Sequence, residues 1–168
     1  ESEARLRVIL ESTADGILVV DKFGHIVSYN HQFTSMWRIP MGILESRRDD
    51  EALKYVLAQL KNPQEFLAKV QNLYSNPEAE SSDIIEFKDG RLFERFSKPQ
   101  RIGGKSVGRV WSFRDVTDRK KAETARERSE QQFRLLFEES KDAVYISTPQ
   151  GQFVDINPAG VALFGYGS

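Results

Sequence analysis

The side chains able to do covalent or metal chemistry are few. The chain has two histidines, His25 and His31, and no cysteine. Without a thiol there is no disulfide, thiolate nucleophile, iron–sulfur ligation or cysteine-based zinc site. The histidines form no pair at helical spacing with a carboxylate, so no metal ligand is assigned. A nucleophile needs a base within reach and a third group to orient that base. No such constellation is legible, and no catalytic residue is assigned. Gly104-Lys105-Ser106 imitates the end of a phosphate-binding loop, but that pattern needs glycine where Pro99 stands. Four polar landmarks remain. Asn30 and Asn157 lie where a strand gives way to a helix and suit helix caps, each contributing about 1 kcal/mol over alanine. Pro158, directly after Asn157, fits the first helical position. Asp115 and Thr117 open a long charged segment, where both can accept backbone N–H groups and Asp118 favours the positive helix end.

Composition narrows the function classes. Lys+Arg total 24 and Asp+Glu 25, a net charge of -1, which lacks the basic excess of a nucleic-acid binder. No apolar run approaches the roughly 20 residues of a membrane span, and no signal peptide opens the chain. The expectation is a cytoplasmic segment that does not itself touch membrane, with room for a membrane-anchored parent.

The elements that hold these landmarks are organised by a repeat. An offset of 127 residues places Ser2, Glu3 and Arg7 on Ser129, Glu130 and Arg134, and Gly24, Val27 and Asn30 on Gly151, Val154 and Asn157. Apolar positions follow, Ile17 with Val144 and Val19 with Ile146. So long a period indicates two copies of one domain, the second cut short.

In the first copy, apolar spacing predicts a helix over 4–13 and strands over 16–21 and 26–30. A short helix is expected over 31–37, no periodic element over 40–48, and an amphipathic helix over 49–60. Asn62-Pro63 suits an N-cap and first turn, and the helix it opens turns Phe66, Leu67, Val70, Leu73 and Tyr74 inward. Strands 81–88 and 91–97 flank Asp89-Gly90, a type I′ turn signal. Gly103-Gly104 marks a second turn before a strand over 106–116, and a charged helix fills 118–139. This order predicts an α+β fold: a five-stranded antiparallel sheet with helices on one face, its first strand paired with its last. Phe33, Trp37, Phe93, Trp111 and Phe113 are the candidate inner lining.

These features resemble the PAS sensory domain. Ala14-Asp15-Gly16-Ile17-Leu18-Val19-Val20-Asp21 resembles its opening strand, and Gly24-His25-Ile26-Val27-Ser28-Tyr29-Asn30 its second strand with terminal Asn. Phe113-Arg114-Asp115-Val116-Thr117-Asp118 resembles the family's closing signature, with Asp115 and Thr117 in its two fixed places. The likeness covers about 5–120 and returns at 132–168. Asp89-Gly90-Arg91 and Trp111-Ser112-Phe113-Arg114 resemble PAS modules of bacterial sensor histidine kinases and diguanylate cyclases. The expected domains are a flanking helix 1–13, a PAS domain 14–117, a linker helix 118–139 and the start of a second PAS domain 140–168.

The resemblance implies a pocket into which Trp111 and Phe113 face, and the bulk of the ring set implies a small cavity or none. It implies that Arg114, Asp115 and Thr117 couple the core to the exit helix. Cofactors are narrowed by residue type: thiol-adduct flavin and the thioester chromophore need a cysteine. Heme needs a histidine on the helix ahead of the third strand, where neither His25 nor His31 stands. The ligand, if any, is an unidentified small molecule. The function implied is sensory relay in a homodimer, acting on an output domain in cis, with a sensor histidine kinase as parent. The alternative is a ligand-free dimerisation and spacer module of a diguanylate cyclase-type protein.

Overall fold

The computed structural model describes residues 1–46 and 49–165. Two compact units result, Glu1–Thr117 and Asp118–Ser168. The first runs α1 (Ser2–Glu11), β1 (Gly16–Asp21), β2 (Ile26–Tyr29), α2 (His31–Trp37), α3 (Met41–Glu45), α4 (Asp49–Ala58), α5 (Pro63–Ser75), β3 (Ser81–Glu86), β4 (Leu92–Ile102) and β5 (Lys105–Asp115). Then follow α6 (Thr117–Glu139), β6 (Tyr145–Ser147), β7 (Phe153–Ile156) and α7 (Pro158–Phe164).

The first unit is built on an antiparallel sheet in the order β2-β1-β5-β4-β3. The first strand lies beside the last, with Leu18 opposite Trp111. Strand alternation sends Phe93, Arg95 and Ser97 of β4, and Arg109, Trp111 and Phe113 of β5, to the buried face. Phe33 and Trp37 of α2, Leu44 of α3, Ala52 and Val56 of α4 and Leu73 of α5 complete the core against them. Gly16 is what lets α2 lie on β1, since a Cβ there would come within 2.9 Å of the Phe33 Cα.

The structure departs from expectation at five places, the first being β4, which runs on past 97 to Ile102. The aperiodic stretch from 40 contains the short helix α3, whose single buried residue, Leu44, is too little to make a period; positions 47 and 48 lie outside the described residues. Asn62 precedes α5 but its side chain makes no cap bond. Its ψ of 69 is far from the extended value, 167 at Asn30, that aims a cap oxygen at the first turn. Leu67 is only half-buried, while Phe66, Val70 and Tyr74 pack on the core. The turn at Asp89-Gly90 is closed by Gly90 N–H to the Phe87 carbonyl at 3.1 Å, and only Gly90 has positive φ. That is a turn with a glycine bulge, not type I′; the type I′ requirement of two positive φ angles is met at Gly103 (59) and Gly104 (78).

The second unit repeats the first in its local geometry. Tyr145, Ile146 and Ser147 pair with Ile156, Asp155 and Phe153, the register of Leu18, Val19 and Val20 with Tyr29, Ser28 and Ile26, bulge included. Phe137 and Asn157 are buried, while Phe133, Leu136, Phe153 and Leu163 are each more than half exposed. The last three positions of the expected second domain lie outside the described residues.

Candidate ligand cavity and exit joint

A cavity of about 350 Å³ opens between the sheet and the helices. Leu18 and Val20 of β1, Ile26 of β2, Phe33 and Trp37 of α2, Val56 of α4, Phe66, Val70 and Tyr74 of α5 and Trp111 of β5 line it. Three of the five predicted rings therefore reach it: Phe33, Trp37 and Trp111. Phe93 and Phe113 do not. They stand edge-on to Trp37 at 5.6 and 5.2 Å between centroids, and this cluster is filled. The rings crowd together beside the cavity and not within it, so space survives under α4 and α5 where little or none was expected.

Polar groups gather at one side of this space. Phe23, Gly24 and His25 of the β1–β2 turn line it, as do Asp49 and Asp50 at the start of α4. Asp49 Oδ2 accepts the Ile26 N–H at 3.3 Å, tying α4 to β2. Asp21 Oδ1 accepts N–H bonds from Phe23 and His25 at 2.8 and 3.0 Å, and its Oδ2 lies 3.1 Å from His25 Nδ1. Desolvation pushes the Asp21 carboxyl up, but these bonds outweigh it and hold it below its usual value. Tyr74 is half-buried, and desolvation raises its hydroxyl above 10.0 despite a hydrogen bond with Trp111 and the nearby Arg109. Among the described residues, the buried Nε1 of Trp37 has no hydrogen-bond partner.

Two buried arginines stand beside the ring set and went unread in the sequence. Arg95 is 2% exposed, holds Asp83 through two bonds of 2.8 and 2.6 Å, and lies 4.6 Å from the centre of the Phe66 ring. Arg109, equally buried, donates to the Ser97 hydroxyl and to the carbonyls of Leu73, Asn76, Pro77 and Ala79. It thereby gathers carbonyls from the last turn of α5 and the residues that follow, where the helix dipole is negative. Burial pushes its guanidinium pKa down. The signal for both was alternation: Arg95 lies between Phe93 and the buried Ser97, and Arg109 shares parity with Trp111 and Phe113.

The cavity has a volume at the lower end of the roughly 300–1,000 Å³ typical of small-molecule sites. The α5 side chains that reach it are Phe66, Val70 and Tyr74, with no histidine among them.

The exit from the sheet is a knot of short bonds. Asp115 Oδ1 accepts the Thr117 N–H at 3.0 Å and its hydroxyl at 2.5 Å. The Thr117 hydroxyl oxygen accepts the Leu92 N–H at 3.0 Å, and Val116 N–H donates to the Leu92 carbonyl. Arg114 meets Asp15 through two bonds of 2.9 Å, which raises the guanidinium pKa further. The three residues thus join the end of β5 to the start of β4, to the approach to β1 and to the first turn of α6.

Asn30 and Asn157 do more than cap. Asn30 Oδ1 accepts from Phe33 and Ile17, and its Nδ2 donates to the carbonyls of Leu10 and Asp15 and to the Thr13 hydroxyl. Asn157 Oδ1 accepts from Gly160 and Val144, and its Nδ2 donates to the Ser140 and Asp142 carbonyls. Both are fully buried and occupied by their own backbone, which leaves no polar atom for a ligand.

Residues 10–124 match the family described as PAS fold, and residues 131–168 match that described as PAS domain. The chain belongs to the PAS family. Among curated proteins, this PAS chain is 26% identical over 172 residues to sporulation kinase E of Bacillus subtilis (strain 168), covering 98% of the chain and 21% of that kinase. It thus spans about a fifth of that relative's length. Among solved structures it resembles the PAS domain of Bordetella pertussis BvgS, with 18% identity and a TM-score of 0.51, over 80% of this chain and 98% of that one. An RNA-binding light-oxygen-voltage receptor aligns with 15% identity and a TM-score of 0.55, over 79% and 38%. These structural likenesses show the fold: a five-stranded antiparallel PAS sheet with helices. No helix among the described residues is long and apolar enough to cross a membrane.

Proposed function

We propose that residues 14–117 are a non-catalytic sensory PAS domain whose cavity takes a small molecule and whose closing strand relays occupancy to α6. One observation carries this reading: β5 contributes Trp111 to the cavity wall and Asp115 to the exit joint. A ligand that displaces Trp111 moves a strand that ends in the cap of α6. Helix 118–139 then passes the change toward the second PAS copy at 140–168 and to an output domain in cis. The likeness to sporulation kinase E supports a sensor histidine kinase as that parent. Val70→Phe, which fills the cavity from α5, is the test. Backbone amide exchange at 117–121 should change while the sheet stays protected. Unchanged exchange there in a folded variant overturns the relay.

The working unit in this reading is a homodimer. Leu6 and Ile9 of α1 are 59% and 60% exposed, and no residue of α1 is buried. Ser2, Leu6, Ile9 and Thr13 have the 4-3-4 spacing of a coiled-coil seam. The repeat leaves the matching residues, Phe133 and Leu136, exposed as well.

A further inference from the structure

Two backbone carbonyls at the end of α2 find their partners on distant side chains. Arg38 turns left-handed (φ 53), and the N–H groups of Arg38 and Ile39 fold back to the carbonyls of Ser35 and Thr34. The helix stops there, so the carbonyls of Met36 and Trp37 have no helical partner. Arg91 Nη1 donates to the Met36 carbonyl at 2.6 Å, and Gln59 Nε2 donates to that of Trp37 at 2.8 Å. These two side chains are themselves joined, Arg91 Nη2 donating to Gln59 Oε1 at 3.0 Å. Asp89 Oδ2 accepts from Arg91 Nε at 2.8 Å, and the centre of the Phe87 ring lies 4.4 Å from the guanidinium carbon.

This clamp stands between the cavity and the exit joint. Trp37 and Val56 line the cavity, and the Gln59 N–H donates to the Val56 carbonyl at 3.1 Å. On the other side Arg91 directly precedes Leu92. The Leu92 N–H is held by the Thr117 hydroxyl, and its carbonyl accepts the Val116 N–H at 2.9 Å. A shift of α2 or of the end of α4 therefore pulls on the residue next to the joint. Trp37 also meets Phe93 and Phe113 through its ring, but ring contacts tolerate sliding. A planar guanidinium bonded through all three nitrogens fixes direction as well as distance.

We propose, resting on the reading of the cavity as a sensory site, that Arg91 is a positioning residue for the relay. It carries movement of the α2 and α4 wall to Thr117, on a second path beside the one through Trp111.

Contact alone does not establish coupling, so the test is a double-mutant cycle. It combines Val70→Phe with Arg91→Lys in the intact chain and reads backbone amide exchange at 117–121. Lysine keeps the charge and loses the fork that spans Met36 and Gln59. In the otherwise wild-type chain Val70→Phe should change exchange there about tenfold, within the usual range of coupling between sites. In the Arg91→Lys background that response should shrink by a factor of about three or more, with β1 and β5 protected as before. Unchanged protection of the sheet separates lost coupling from lost stability. If Arg91→Lys does not fold, Gln59→Leu, which removes the bonds to Arg91 and to the Trp37 carbonyl, takes its place with the same expected result. A smaller reduction, or one accompanied by loss of sheet protection, overturns the role of Arg91 and leaves the relay through Trp111 standing. No response to Val70→Phe in the otherwise wild-type chain overturns the relay itself and this inference with it.

Discussion

The hydroxyl of Thr117 accepts the backbone N–H of Leu92 at 3.0 Å, fastening the first residue of α6 to the first residue of β4. The same hydroxyl donates to Asp115, so a single side chain links two strands and a helix start. Such a joint has a small energy and a large lever, because the helix it starts runs to Glu139.

Asp115→Ala should therefore cost only about 1 kcal/mol of stability, the scale of one helix cap. Its effect should be local: faster amide exchange in the first turn of α6, with β1, β4 and β5 unchanged. Thr117→Val should additionally free the Leu92 amide. In the parent protein, Asp115→Ala should leave the domain folded and make output insensitive to input. Normal regulation by that variant would remove the joint from the relay.

Asn30→Ala should be the more damaging change. It deletes two acceptor bonds and three donor bonds from a fully buried side chain. A loss of about 2–4 kcal/mol in urea unfolding is expected, counting a cap and unsatisfied backbone groups together. Asn30→Asp keeps the oxygen bonds but turns a buried carboxylate oxygen on the Leu10 and Asp15 carbonyls, and should be at least as damaging. Asn157→Ala should lower protection of 144–160 and leave the transition of the first unit in place. A clearly milder effect of Asn30→Asp than of Asn30→Ala would show that the donor half of the network contributes little.

The dimer proposal places the seam on α1. Leu6→Glu combined with Ile9→Glu puts charge on the only apolar stripe of that helix, and neither residue is buried in the chain. Sedimentation velocity should show a shift toward monomer with thermal stability of the core unchanged. A dimer that persists at the same concentration places the contact elsewhere.

Much of this fold was legible because local chemistry and global topology agree at its borders. Asn30 ends a strand and begins a helix, and the helix His31–Trp37 follows at the expected residues. The closing strand, the paired glycines at 103 and 104 and the 127-residue repeat all follow from punctuation and period. The cavity was less legible. Ring size predicts filled space, but whether rings fill a cavity or stack beside it depends on where α4 and α5 settle, which is a tertiary matter. Phe113 shows the difference: its parity is right and its face is right, yet Trp37 and Phe33 cover it. Arg95 and Arg109 were passed over because arginine reads as surface, although a paired carboxylate such as Asp83 or a set of carbonyls lets one be buried.

Tyr74 supplies a pH prediction at the cavity wall. Desolvation raises its hydroxyl pKa above 10.0 in the folded chain, so folding favours the neutral phenol. The resulting stability is fully present below the unfolded value. It is lost as pH rises from there through the folded value, since the unfolded chain gives up its proton first. Tyr74→Phe removes the hydrogen bond with Trp111 and should cost about 1 kcal/mol at neutral pH. It should also remove this alkaline loss, so the stability gap between wild type and variant narrows as pH passes about 10. Urea unfolding of both proteins at neutral pH and at about pH 10.5 measures the gap. A constant or widening gap would show that the Tyr74 hydroxyl ionises as readily in the folded chain as in the unfolded one.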